Sequence, residues 1–147
     1  MISIVVPTMW RYLPMLDFVG YLARVDVVKE ILIIDNDNSR TPSHVTLNHS
    51  KLKLLDYGKN IFVNPAFNEG VKNSTGDIIC FLNDDMLFDL RALYKVADFM
   101  QPTTGAVGVS KGDVAGGHIP ITTGEIVFDS FRGQNCWGFG EVMFVHR

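Results

Sequence analysis

The sequence predicts an α/β domain of three layers, helices on both faces of a mixed, mostly parallel sheet. Three observations predict it. Continuous apolar runs at Ile2–Val6, Ile31–Ile34 and Ile78–Leu82 have the composition of strands buried on both faces. A helical or helix-opening pattern follows each run in turn. From Gly105 onward the character changes to short β-like runs separated by glycine-rich connections.

Taken in order, the first run is β-branched and ends at Pro7. Leu13–Arg24 places Leu13, Leu16, Val19 and Leu22 or Ala23 at helical spacing and predicts the first helix. The second strand stops at Asp35. The stretch from Asp35 to Ser50 is rich in Asn, Asp, Ser, Thr and Pro and reads as a loop, with a short strand expected within Lys51–Tyr57. Asn64-Pro65-Ala66 opens a short helix reaching about Asn73, and Gly76 is placed to end it. The third strand stops at Asn83-Asp84-Asp85. Asp89 is positioned to cap a helix running to Met100, with Pro102 beyond its end. Ala106–Val109, Glu125–Phe128 and Val142–Val145 complete the β-like runs.

A chain of 147 residues fits one domain with a sizeable core. Its 47% hydrophobic and 20% charged residues are an ordinary globular balance. A net charge of -3 argues against a nucleic-acid backbone as main partner. Any polyanionic ligand must therefore meet local basic groups, helix N-termini or a metal ion. Cys80 and Cys136 form neither a disulfide framework nor a zinc site, and Cys80 reads as a buried strand residue. No segment has the roughly 18 apolar residues of a membrane span. The chain opens on a strand-like run without a signal-peptide pattern, so cytoplasm is the expected compartment. A homo-oligomer is compatible with all of this.

The informative fact is where the carboxylates fall. Two of the three apolar strands end in acidic clusters, Asp35-Asn36-Asp37 and Asn83-Asp84-Asp85. In open α/β sheets the ligand crevice lies beyond the carboxyl ends of the strands. If the two strands are neighbours, their carboxylates converge there. Crowded like charges are unfavourable unless a cation or donors offset them, and an all-oxygen ligand set favours Mg2+ or Mn2+. Such an ion binds through one or two carboxylates plus substrate phosphates, which suits a nucleoside diphosphate. Against this stands the plain reading that Asp and Asn punctuate turns; two clusters on separate strands favour the functional one.

At this point the chain resembles the nucleotide-binding half of family 2 glycosyltransferases, which have the GT-A (Rossmann-like) fold. Ile4-Val5-Val6-Pro7-Thr8-Met9-Trp10-Arg11 is similar to that family's opening strand and PTYNR turn, with Met9 and Trp10 for the usual Tyr and Asn. Ile33-Ile34-Asp35-Asn36 resembles its VVDD or VIDN strand end, where an acidic residue reads base or ribose; Asn36 and Asp37 compete for the second position. Ala66-Phe67-Asn68-Glu69-Gly70 looks like the ARNxG helix, and Phe81-Leu82-Asn83-Asp84-Asp85 like the metal-site DXD motif with Asn83 in the first acidic place. The resemblance implies a sugar transferase of hexosyltransferase type with a UDP-sugar donor, an unidentified acceptor and a divalent metal. It makes Asp85 the metal ligand and a catalytic residue, and puts Asp84 near the ribose. Pro7, Thr8, Arg11, Asp35, Asn36, Asp37, Asn64, Asn68 and Asn83 are further candidate donor contacts, Arg11 being equally readable as a solvated helix-start residue and Asn68 as a partner of loop backbone. Residues 1–104 correspond to the nucleotide-binding part and 105–147 to a reduced acceptor side.

Gly138–Arg147 resembles the strand that ends in RR or HR in larger relatives, ahead of their acidic general base. The sequence stops at Arg147, so Glu141 and Asp129 are the nearest substitutes, each equally readable as structural. His146 is a possible third metal ligand, as a late histidine is in some GT-A enzymes. Trp137 and Phe139 read as a sugar-stacking surface or as core, and Lys72 and Lys111 as phosphate partners or solvated lysines.

Two rivals remain in the sequence. Asp35-Asn36-Asp37 with Asp84-Asp85 resembles the nucleophile loop and metal motif of a haloacid-dehalogenase-type phosphatase, Asp35 being the nucleophile and Asp37 the acid/base. That nucleophile normally ends the first strand, whereas here a strand and a helix precede it. The other rival is a nucleotide-sugar-binding module without turnover.

Overall fold

The computed structural model describes residues 1–42, 49–109, 126–127 and 142–147. Among these, the order is β1 (Ile2–Thr8), α1 (Pro14–Leu22), β2 (Val28–Asp35), a 3-10 turn (Asn38–Arg40), β3 (Leu52–Asp56), α2 (Val63–Asn73), β4 (Ile78–Leu82), α3 (Arg91–Phe99), β5 (Ala106–Val109), β6 (Ile126–Val127) and β7 (Val142–His146). Each expected strand and helix is present. β2 begins earlier than its apolar run because Glu30 is buried there on polar partners rather than on apolar ones.

The described strands form one sheet in the order β3-β2-β1-β4-β7-β5-β6. β1 to β4 run parallel to one another, while β7 runs antiparallel to β4 and to β5. The chain thus winds from β1 outward through β2 to β3, then returns to place β4 on the other side of β1. That reversal is a topological switch point, and it opens a crevice at the carboxyl ends of β1 and β4.

Alternation along β1 divides the core into two layers. Ile2, Ile4 and Val6 face α1 and α3, packing with Phe18, Val19, Leu22, Leu93 and Val96. Val5 faces the other way, with Leu32, Ile34, Ile79 and Ala66 of α2. α2 sits unusually close: a Cβ on Gly70 would lie 2.1 Å from Val5 Cγ1.

Three local expectations need correction. The buried face of α1 is Met15, Phe18, Val19 and Leu22, one step round from the expected stripe, and Leu13 is an exposed N-cap. The larger side chains at i, i+3, i+4 and i+7 win the core. Gly76 does not end α2, whose C-cap is Ser74. It lets the chain pass close to β1, where a Cβ would meet Ser3 Oγ at 2.6 Å and Met1 O at 2.8 Å. Asp89 does support the start of α3, accepting the Arg91 N–H at 2.9 Å, but Leu90 is the N-cap. Hydrogen bonds from the Arg91 side chain and backbone hold its carboxyl below the usual carboxylate range.

Candidate active site

The crevice is a 620 Å3 groove on the α2 side of the carboxyl edge. Strand alternation and helix periodicity explain its lining. Pro7 follows Val5 by two residues and Asn83 follows Phe81 by two, so both continue the face that packs on α2. From α2, Asn64, Phe67 and Asn68 share one side at i, i+3 and i+4, and all three line the groove with Asp84, Asp85 and Met143. Phe67 and Phe81 meet edge to face, with ring centroids 5.1 Å apart. The apolar floor is thus rimmed by amides on one side and carboxylates on the other.

A second cavity of 280 Å3 adjoins it, sharing Pro7, Val63 and Asp84, and adds Thr8, Met9, Arg11, Asn36, Asn60 and Phe62. Asp84 joins the two. Its Oδ2 accepts the Thr8 hydroxyl at 2.7 Å and the Met9 N–H at 3.4 Å. Thr8 Oγ1 in turn accepts the Trp10 N–H at 2.9 Å, across a turn in which Trp10 has φ 57. The tips of β1 and β4 are therefore tied together beside the switch point.

Of the residues singled out in the sequence, Pro7, Thr8, Arg11, Asn36, Asn64, Asn68, Asn83, Asp84 and Asp85 line these joined cavities. Asp35 and Asp37 do not. β2 and β4 are not neighbours; β1 lies between them, which separates their tips by about 10 Å. Asp35 is buried, and its carboxylate accepts the Asp37 N–H at 2.9 Å and the Thr41 hydroxyl. Asp37 accepts the Ser39 hydroxyl at 2.6 Å and pairs with Arg40 at 3.0 Å. Both carboxylates shape their own loop, which leaves no open nucleophile for the phosphatase chemistry. Asn36 is the residue of that strand end that faces the cavity.

His146 is not brought to the groove either. In antiparallel β7 it pairs with Ile78, at the start of β4, while Val142 pairs with Leu82. Four residues of strand, about 13 Å, separate His146 from the acidic edge. Lys72 pairs with Glu69 at 2.6 Å on the α2 surface. Glu141, Asp129, Lys111, Trp137 and Phe139 lie outside the described residues.

Among the described residues, no three His, Cys, Asp or Glu side chains cluster as a complete metal site. Asp85 and Asn83 instead offer a partial oxygen set at the groove. That fits Mg2+ or Mn2+, which take one or two carboxylates and complete their shell with phosphate and water; it does not fit zinc, which takes mainly Cys and His.

Sequence reasoning missed Met9, Asn60, Phe62, Val63, Phe67, Phe81 and Met143 as lining residues. Phe67 was readable, since it lies between Asn64 and Asn68 on one helical face. Phe62 and Asn60 belong to a turn whose backbone carries no periodic signal.

Comparison with known proteins agrees with this fold. The fold is shared with solved glycosyltransferases. The mannosyltransferase PcManGT from Pyrobaculum calidifontis, in complex with GDP-Man and Mn2+, superposes with a TM-score of 0.64 at 22% identity, covering 75% of this chain and 35% of that one. S. aureus TarS (residues 1–349) gives a TM-score of 0.52 at 21% identity, covering 67% of this chain and 31% of that one. The chain therefore spans about a third of the length of either structure. No curated protein sequence matches it. The profile described as glycosyl transferase family 2 matches residues 3–145. Nearly the whole chain is covered by that match, and the chain belongs to glycosyl transferase family 2.

Proposed function

We propose that this chain binds a nucleoside diphosphate sugar, a UDP-sugar in the first instance, and transfers its sugar to an acceptor with the help of Mn2+ or Mg2+. The observation that carries the reading is the pair of joined cavities at the switch point, with Asp84 between them and Asp85 on the larger one. PcManGT, which shares the fold, was solved with a nucleotide sugar and Mn2+; its base is guanine, so GDP-sugars are the first competitor to test.

Each lining residue has a role in this reading. Asp85 is the carboxylate ligand of the ion, with the Asn83 side-chain oxygen beside it. The ion, when bound, neutralises negative charge that grows on the leaving diphosphate. Asp84 spends one oxygen on Thr8 and Met9, which fixes it to present the other to a ribose hydroxyl. Asn64 and Asn68 offer amide donors and acceptors to the sugar and phosphates from the α2 rim. Arg11 supplies a positive charge that the net -3 of the chain otherwise withholds from an anionic ligand. The apolar floor of Phe67, Phe81 and Met143 keeps water from part of the groove and strengthens these polar contacts.

The test is calorimetry with UDP, GDP and UDP-sugars, with and without Mn2+, on the wild type and Asp85→Asn. The expected result is nucleotide binding tightened by Mn2+ in the wild type and not in the variant. Binding of neither nucleotide, or binding indifferent to the metal and to Asp85, would refute the proposal. Tight UDP binding with no sugar release to water or to any acceptor would reassign the chain as a binding module.

A further inference from the structure

Phe62 combines an exposed aromatic ring with a strained backbone. It is 71% exposed, so its ring adds almost nothing to the core. Its backbone has φ 65 and ψ 170, a region essentially reserved for glycine, where a side chain is strained. Three hydrogen bonds hold it there: Phe62 N–H donates to Asn60 Oδ1 at 2.7 Å, Ile61 N–H donates to Asn36 Oδ1 at 3.1 Å, and Phe62 O accepts the Ala66 N–H at 3.1 Å. The fold therefore spends conformational energy to display an aromatic ring in solvent.

The ring is displayed at a defined place. Phe62 lines the 280 Å3 cavity together with Thr8, Arg11, Asn36 and Asn60. A cavity of this size admits one ring system, and it meets the larger groove at Asp84. Resting on the nucleotide-sugar reading above, we infer that Phe62 stacks on the heterocyclic base of the donor. The ribose then falls at Asp84 and the diphosphate beside Asp85. Aromatic stacking accepts any base, so discrimination between bases falls to the amides of Asn36 and Asn60. Asn36 acts here also as a positioning group, since its side-chain oxygen holds the turn that carries the ring.

The experiment compares UDP, GDP and inorganic pyrophosphate, all with Mn2+, on the wild type, Phe62→Gly and Phe62→Trp. Glycine removes the ring and relieves the strain, so the melting temperature is not expected to fall. UDP affinity falls by about five- to a hundredfold, the worth of one stacked base, while pyrophosphate affinity stays the same. In Phe62→Trp, UDP quenches indole emission saturably and pyrophosphate does not. Unchanged UDP affinity in Phe62→Gly, or an equal loss for UDP and pyrophosphate, overturns the assignment of the ring while the nucleotide-sugar reading stands. Failure of the wild type to bind either nucleotide overturns both.

Discussion

Replacing Glu30 with Gln is expected to remove an acid-sensitive part of the stability worth about 3 kcal/mol. Glu30 lies buried on β2 at the amino edge of the sheet. Its Oε1 accepts Ser3 Oγ of β1 at 2.7 Å, the Thr75 N–H at 2.5 Å and Thr75 Oγ1 at 2.8 Å; its Oε2 accepts Lys53 Nζ of β3 at 2.6 Å. Burial alone would raise its pKa. Lys53, Ser3 and Thr75 together outweigh burial and lower it from 4.5 to about 2. Because the folded value is depressed, the contribution is complete above pH 4.5 and disappears as the pH falls towards 2. That interval, at ~1.4 kcal/mol per pH unit, gives the figure of about 3 kcal/mol, a large part of the 5–15 kcal/mol roughly typical of a domain. Urea unfolding of wild type and Glu30→Gln in steps from pH 7 to pH 3 provides the assay, since the difference between the two cancels the other carboxylates. The gap should be widest at neutral pH and should close below pH 4.5. A gap that is constant across the range, or that widens in acid, would refute the reasoning. Nucleotide affinity at pH 7 should be unchanged, because this cluster ties the strands at the edge opposite the groove.

Two further substitutions test the packing that shapes the groove. Gly70→Ala should destabilise by about 1–3 kcal/mol despite the better helix propensity of alanine, because the new methyl meets buried Val5 at 2.1 Å. A lowered urea midpoint with weaker nucleotide binding is expected, as α2 carries Asn64 and Asn68; an unchanged midpoint would show that α2 shifts at no cost. Thr8→Val keeps the shape of a buried side chain but deprives Asp84 of its 2.7 Å donor and the Trp10 N–H of its acceptor. A stability loss of about 1–3 kcal/mol should accompany weaker Mn2+-dependent UDP binding, read by calorimetry.

The strands were legible because parallel strands buried on both faces need apolar residues at every position, and Ile2, Ile31 and Ile78 each open or continue such a run. Strand order was not. It depends on pairing between residues distant in the chain, and nothing local in Asp35 or Asp85 reports that β1 will lie between them. The same gap misplaced His146. Had β7 been parallel to β4, its last residue would stand at the carboxyl edge; being antiparallel, it delivers Val142 and Met143 there and carries His146 away. Side-chain direction escaped the sequence for a related reason. Asp35, Asn36 and Asp37 are all polar and adjacent, yet Asp35 and Asp37 are consumed by hydrogen bonds within their own loop, and only Asn36 turns to the cavity. Phe62 gave no signal at all, because a positive φ on an aromatic residue contradicts the local preferences by which sequences are read. The acidic tip of β2, the end of β7 and the turn before α2 are the places where local preference is overruled by the demands of a ligand cleft or by long-range pairing. Among the described residues the two non-glycine positions with positive φ both stand at the crevice, Phe62 in its lining and Trp10 bonded to the lining residue Thr8, which is where a binding function would have to be written.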